Sequence, residues 1–137
     1  MLHRNNKVEL LKKAPLFAGC SKKELEQIAM VADELDFQSG KTLIKEGAPG
    51  REFFVLVDGT VEVSRDGRTI DTAGPGDFFG EMALLTEQPR NATVTTTSKV
   101  DVLILTSRSF RSLVEHNPLI ALKVMRAVAD RVPPEEL

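Results

Sequence analysis

Tryptophan and tyrosine are absent, cysteine occurs once, at Cys20, and histidine twice, at His3 and His116. The missing aromatics take away the stacking platforms of a single-strand nucleic-acid binder, although seven Phe remain. No run of Lys or Arg exceeds two, and 18 basic against 20 acidic residues leave a net charge of −2. A surface that tracks phosphates along a duplex is therefore disfavoured, and no nucleic-acid partner is expected. One cysteine makes neither an internal disulfide nor a cysteine-based metal cluster. Two histidines are too few for a cupin-like metal enzyme, and neither is placed by the pattern beside Cys20 or a serine for nucleophilic catalysis. No enzyme and no metal are expected. The charged start of the chain is not followed by an apolar stretch, and no segment approaches roughly 18 apolar residues. The expectation is a cytoplasmic chain that is neither exported nor bound to a membrane.

What is present fits one domain. The 137 residues, 42% of them hydrophobic, can bury one sizeable core and leave no room for a second domain of ordinary size. Any output then passes through a partner.

Residues 1–36 read as N-terminal helices. Val8, Leu10 and Leu11 precede Pro15, and Ser21-Lys-Lys-Glu24 is a capping box that opens a helix. Leu25, Ile28, Ala29, Ala32 and Leu35 then recur at helical spacing. Residues 37–106 switch to short β-rich runs broken by Gly, Pro and Asp-Gly, the pattern of an antiparallel barrel or sandwich. Asp58-Gly59 and Asp66-Gly67 each carry the signal of a two-residue hairpin.

Such loops fix register. Around Asp66-Gly67, Val63 should pair with Ile70 and Val61 with Thr72. Around Asp58-Gly59, Val61 should pair with Leu56 and Val63 with Phe54. Val61, Val63 and Ile70 would then share the interior face, and Glu62 would oppose Asp71 on a solvated one. Thr93–Thr97 and Val100–Leu105 read as closing strands.

Residues 107–132 read as C-terminal helices. Ser109–Val114 makes a short helix, Asn117-Pro118 an N-cap with proline at the first helical position, and a longer helix ends before Pro133-Pro134. Leu122, Val124, Met125, Val128, Ala129 and Val132 spread over an apolar arc wider than packing on a small barrel needs.

Between the hairpins and the closing strands, the alternation breaks at Gly74-Pro-Gly-Asp-Phe-Phe-Gly-Glu-Met-Ala-Leu-Leu-Thr-Glu-Gln-Pro-Arg-Asn-Ala-Thr-Val94. Gly80 permits close backbone approach, and Glu81–Leu85 can form one helical turn whose leading N–H groups suit an anion. Arg90, aimed by Pro89, would supply forked donors for phosphate oxygens. The residues alone describe either a pocket for one anionic ligand or a turn with a surface ion pair.

Phe79-Gly-Glu-Met-Ala-Leu-Leu85 followed by Pro89-Arg-Asn-Ala-Thr-Val94 closely resembles the phosphate-binding cassette, here 79–94, of cyclic nucleotide-binding domains. These occur in protein kinase A regulatory subunits, catabolite activator proteins and gated channels. Gly47, Val57-Asp-Gly-Thr-Val61, Gly74-Pro-Gly-Asp-Phe78 and Asn117-Pro118 extend the resemblance over nearly the whole chain. It implies a mainly β fold with flanking helices: a jelly-roll-like antiparallel β-barrel with N-terminal helices, a short phosphate-cassette helix and C-terminal helices. It also implies that Glu81 accepts the ribose 2′-hydroxyl and that Gly80 lets the ribose approach. Arg90 would meet the cyclic phosphate, with N–H groups near Ala83 and Ala92. Val63, Ile70 and Met82 would wall the base. Asn91 stands where relatives have small residues or Thr; it would either contact the phosphate or base or cap the adjacent turn. The resemblance makes the ligand cyclic AMP or cyclic GMP, with cyclic AMP favoured. The function it implies is a sensor that signals through its C-terminal helix to a protein partner or a second copy. The alternative is a degenerate, ligand-free interaction module of the same fold. Pro133-Pro134 would truncate the lid over the base.

Overall fold

In the computed structural model, residues 4–86 and 88–130 are described. Helices α1 (Arg4–Lys12) and α2 (Lys22–Val31) lead into strands β1 (Asp33–Phe37), β2 (Thr42–Ile44), β3 (Glu52–Asp58), β4 (Val61–Arg65), β5 (Arg68–Ala73) and β6 (Phe78–Phe79). A 3-10 turn at Glu81–Leu84 follows, then β7 (Thr93–Thr96), β8 (Val100–Thr106), α3 (Ser107–His116) and α4 (Pro118–Ala129). Two four-stranded antiparallel sheets, ordered β1-β8-β3-β6 and β2-β7-β4-β5, form a jelly-roll-like sandwich. The expected fold class holds.

Strands β3 and β8 explain why the core has two parts. Both are buried on both faces: Phe54, Leu56, Val100 and Val102 pack between the sheets with Ile44, Val61 and Val94. Phe53, Val55, Leu103 and Leu105 point the other way, into a helical layer with Phe17, Ile28, Phe110, Ile120 and Val124. Phe53 sits edge-on to Phe17 and to Phe78, ring centroids 6.0 Å apart in each case. Leu84 of the 3-10 turn is buried in this same layer, which ties the turn to the helices.

The helix starts obey local chemistry. Ser21 Oγ accepts from Glu24 N at 3.2 Å and Glu24 Oε1 accepts from Ser21 N at 2.7 Å, the expected capping box. The same Glu24 carboxylate takes Lys123 Nζ at 2.5 Å and joins α4 to α2. That hydrogen bond, with the one from the Ser21 backbone, holds the Glu24 pKa below its ordinary value.

Several expectations need correction. Helix α2 stops at Val31, and strand pairing begins at Asp33, so Leu35 lies on β1 and is exposed instead of continuing the helical stripe. Asp58-Gly59 is no hairpin, because β3 and β4 belong to different sheets. The turn crosses beside the β7–β8 connection, with Thr60 N on Ser98 Oγ at 3.0 Å and Thr97 N on Thr60 O at 3.0 Å. Val61 and Val63 therefore pair with Thr96 and Val94 on β7, not with Leu56 and Phe54.

Asp66 (φ 53°) and Gly67 (φ 77°) do make the expected primed turn, and Arg65 faces Arg68. A β-bulge then inserts Ile70, so Val63 faces Asp71, Glu62 faces Thr72 and Val61 faces Ala73. The physical gain is local: the extra residue moves Asp71 away from Glu62, which instead accepts the Thr69 hydroxyl. Ile70 is left half-exposed.

Helix α3 is longer than expected, starting at Ser107 with Thr106 Oγ1 accepting from Ser109 N at 3.0 Å. Pro118 opens α4, but the Asn117 side chain does not cap it. Its amide turns back to the Leu113 carbonyl at 3.3 Å, because α3 ends immediately before and leaves carbonyls to satisfy. His3, Val132 and Pro133-Pro134 lie outside the described residues.

One row of the first sheet carries a pH dependence. Asp101 on β8 faces Asp36 on β1 and Asp58 on β3, and it shares a hollow with Lys7, Asp33, Glu34 and Asp36. Burial, then the hydrogen bond and charge of Glu34 and the charge of Asp36, push its carboxyl up to about 7. The folded pKa lies above the unfolded value of about 3.9. The contribution is therefore fully present below about pH 4 and is lost as pH rises through about 7. Asp101→Asn should leave stability near the parent's at pH 4 and raise it at pH 8 by about 1 kcal/mol after solvent screening. Urea midpoints of both proteins at the two pH values check this.

Candidate functional site

The segment 74–94 departs from strand geometry in a fixed order. Asp77 closes the Gly74 turn, taking Gly74 N on Oδ2 at 2.9 Å, and its carbonyl accepts from Leu56 N at 2.8 Å. Two residues of pairing follow, Phe78 against Val55 and Phe79 against Phe54. Gly80, at φ 77°, then reverses the chain into the Glu81–Leu84 turn. Only a residue without Cβ takes this position easily, since a Cβ would lie 2.9 Å from the Glu52 carbonyl oxygen and well inside contact with the Arg90 guanidinium.

Arg90 is built from the other side. Its N–H donates to Ala48 O at 2.8 Å and its carbonyl accepts from Gly47 N at 2.8 Å, while Gly50 N donates to Gln88 O at 3.2 Å. A bridge between Pro49 and Pro89 completes the clamp. The side chain then runs beside Gly50, where an added Cβ would sit 3.2 Å from Nε, and ends with Nη2 donating to the Glu52 carbonyl at 2.6 Å. The Glu52 carboxylate stands 3.9 Å from the same nitrogen. The Arg90 side chain is 9% exposed, and burial pulls its pKa down while the Glu52 charge opposes that shift.

Turn and arginine meet at a cavity of about 320 Å³, lined by residues that include Gly80, Glu81, Met82, Ala83, Arg90 and Asn91. That volume lies at the small end of the roughly 300–1,000 Å³ typical of small-molecule pockets. Thr86, Gln88 and Pro89 complete the wall. The cavity offers a desolvated guanidinium, a short turn and one carboxylate, the chemistry of an anion that also carries a hydroxyl.

The structure brings together Gly80, Glu81, Met82, Ala83, Arg90 and Asn91, and buries Ala92 directly behind them. Ala83 N donates to Gly80 O at 2.9 Å within the turn. Asn91 is exposed, and its carbonyl accepts from Arg65 Nε at 2.8 Å. Val63 packs on the core between the sheets and Ile70 stands out on its bulge; neither lines the cavity. What sequence reading missed is Glu52 and the Gly47–Gly50 clamp. Gly50, next to Pro49, was the available signal, because it leaves the close approach that the Arg90 side chain occupies. Cys20 is half-buried, and that burial is the chief cause that raises its thiol pKa above the ordinary value. Among the described residues, no cluster of His, Cys, Asp and Glu is arranged to hold a metal ion, and no helix is long and apolar enough to cross a membrane.

Comparison with known proteins bears on this geometry. The family model of the cyclic nucleotide-binding domain matches residues 34–117. A CRP-like cAMP-activated global transcriptional regulator of Mycobacterium tuberculosis is 29% identical over 129 residues, which is 90% of this chain and 58% of that protein. The chain thus spans little more than half the length of this relative. Among solved structures, the N-terminal domain of a transcriptional regulator from Streptomyces coelicolor superposes with a TM-score of 0.82 at 31% identity, over 89% of this chain and 91% of that one. The regulatory domain of Toxoplasma gondii PKA, crystallised with cAMP, superposes with a TM-score of 0.73 at 32% identity, over 80% of this chain and 44% of that one.

Proposed function

Because the chain belongs to the cyclic nucleotide-binding domain family, we propose that it is a cytoplasmic regulatory module, not an enzyme, that binds a cyclic nucleotide in the cavity between the Gly80 turn and Arg90. The carrying observation is the guanidinium itself. Arg90 is nearly buried and is hydrogen-bonded to a carbonyl instead of a bidentate carboxylate, which leaves its remaining guanidinium donors for an anion. The cyclic phosphate lies against Arg90 and the backbone from Ala83 to Ala92, the ribose beside Gly80 and Glu81, and the base toward Met82, with Val63 and Ile70 beyond. Residues 1–137 act as one domain, with helices α1 to α4 packed around the sandwich of β1 to β8. Cyclic AMP is favoured over cyclic GMP. The cAMP-activated regulator of Mycobacterium tuberculosis and the Toxoplasma gondii PKA regulatory domain crystallised with cAMP support that choice.

Ligand at a hundredfold its dissociation constant should add about 2.7 kcal/mol of stability. Thermal unfolding with cyclic AMP and cyclic GMP side by side tests the reading. A second reading, a docking module with an empty pocket, is favoured by Leu119, Leu122 and Met125, which leave an apolar stripe exposed on α4. No shift with either nucleotide would favour it. In the first reading the same stripe is where a protein partner or a second copy senses movement of α4, transmitted through Leu84.

The ribose contact has its own test. A hydroxyl donated to a carboxylate contributes about 1.5–3 kcal/mol, so 2′-deoxy cyclic AMP should bind one to two orders of magnitude more weakly than cyclic AMP. In Glu81→Ala the two ligands should bind almost alike. Additive losses would show that Glu81 and the 2′-hydroxyl do not touch.

A further inference from the structure

We propose, resting on the reading of the cavity as a cyclic-phosphate site, that the Glu52 carboxylate is a built-in competitor of the ligand: it stabilises the empty pocket and thereby weakens binding. Two different groups of one residue face Arg90 Nη2. The carbonyl at 2.6 Å is a hydrogen bond and fixes where the guanidinium points. The carboxylate oxygen at 3.9 Å is beyond hydrogen-bond range and acts only through its charge. Orientation and charge are thus separable at Glu52, because a substitution removes the carboxylate and keeps the carbonyl.

The charge has a purpose in the absence of ligand. Arg90 is 9% exposed at its side chain, and a buried cation without a counter-charge is costly. Glu52, 45% exposed, offsets part of that cost from the rim while it stays in contact with water. An incoming anion finds the guanidinium already partly neutralised and a second negative charge nearby. Glu52 therefore acts through Arg90 as a positioning residue that sets affinity, and its removal should move stability and binding in opposite directions.

The test compares the parent, Glu52→Gln and Glu52→Asp by calorimetric titration with cyclic AMP at low and high salt, alongside urea denaturation without ligand. Glu52→Gln should bind about twofold to fivefold more tightly at low salt, as expected of a partly exposed ion pair, and the gain should shrink as salt screens the charge. It should also unfold at a lower urea midpoint. Glu52→Asp should stay near the parent in both. Glu52→Thr, neutral and suited to a strand, repeats the comparison should Gln disturb folding. Binding unchanged or weakened in both neutral variants, while the parent binds, overturns the competitor role and leaves the pocket standing. A gain that does not shrink with salt overturns it as well. Failure of parent and neutral variants alike to bind any cyclic nucleotide overturns the pocket reading, and the competitor role with it.

Discussion

Arg90→Ala is expected to weaken cyclic AMP binding by about thirtyfold to several thousandfold. Loss of one partner of a desolvated charge pair costs about 2–5 kcal/mol, and the Arg90 side chain is 9% exposed in a pocket whose other polar groups carry no positive charge. Arg90→Lys should recover little. A lysine ammonium cannot donate to the Glu52 carbonyl and to two phosphate oxygens in one plane, as the guanidinium can. Titration of the two variants beside the parent measures this, and binding of Arg90→Ala within threefold of the parent would refute the assignment.

The second large effect comes from the turn that faces Arg90. Gly80→Ala puts a side chain where φ is 77°, which costs about 1–2 kcal/mol for any L residue. It also drives the new Cβ onto the guanidinium and to 2.9 Å from the Glu52 carbonyl. Gly67 has the same φ of 77° with nothing within 4 Å, so Gly67→Ala carries the backbone strain alone. We expect both variants to lose about 1–2 kcal/mol of stability from strain, and Gly80→Ala alone to lose cyclic AMP binding by tenfold or more. Urea midpoints and titrations of the pair separate the two causes. Equal behaviour of the two variants would mean that the approach of Arg90 to Gly80 has no role in binding.

How much of this was legible in the sequence follows from the range of the forces involved. The Ser21–Glu24 capping box, the Asp66-Gly67 turn and the single helical turn after Gly80 were readable because each is decided within a few residues. The Asp58-Gly59 turn carries the same local signal as Asp66-Gly67, yet it joins two sheets. At Asp58-Gly59 only Gly59 takes a positive φ, whereas Asp66 and Gly67 both do, and the 97–100 segment packs against the turn. The bulge at Ile70 was invisible for a related reason, since an ideal two-residue hairpin predicts strict alternation and only the Glu62–Asp71 repulsion argued against it.

At the site, the motif named Gly80, Glu81 and Arg90, and the structure sets them around one cavity. The motif did not name Glu52, which lies far along the chain and meets Arg90 only because β3 runs beside the clamp. Nor did it name the approach of the Arg90 guanidinium to Gly80. Both contacts join Arg90 to residues distant in the chain, which a local motif does not describe.

The most direct test of the central claim is a crystal structure of this chain with cyclic AMP. The account predicts the nucleotide in the cavity beside Gly80–Ala83, with a cyclic-phosphate oxygen within about 2.7–3.0 Å of an Arg90 guanidinium nitrogen. A nucleotide bound elsewhere, or one in the cavity with its phosphate turned away from Arg90, would contradict it.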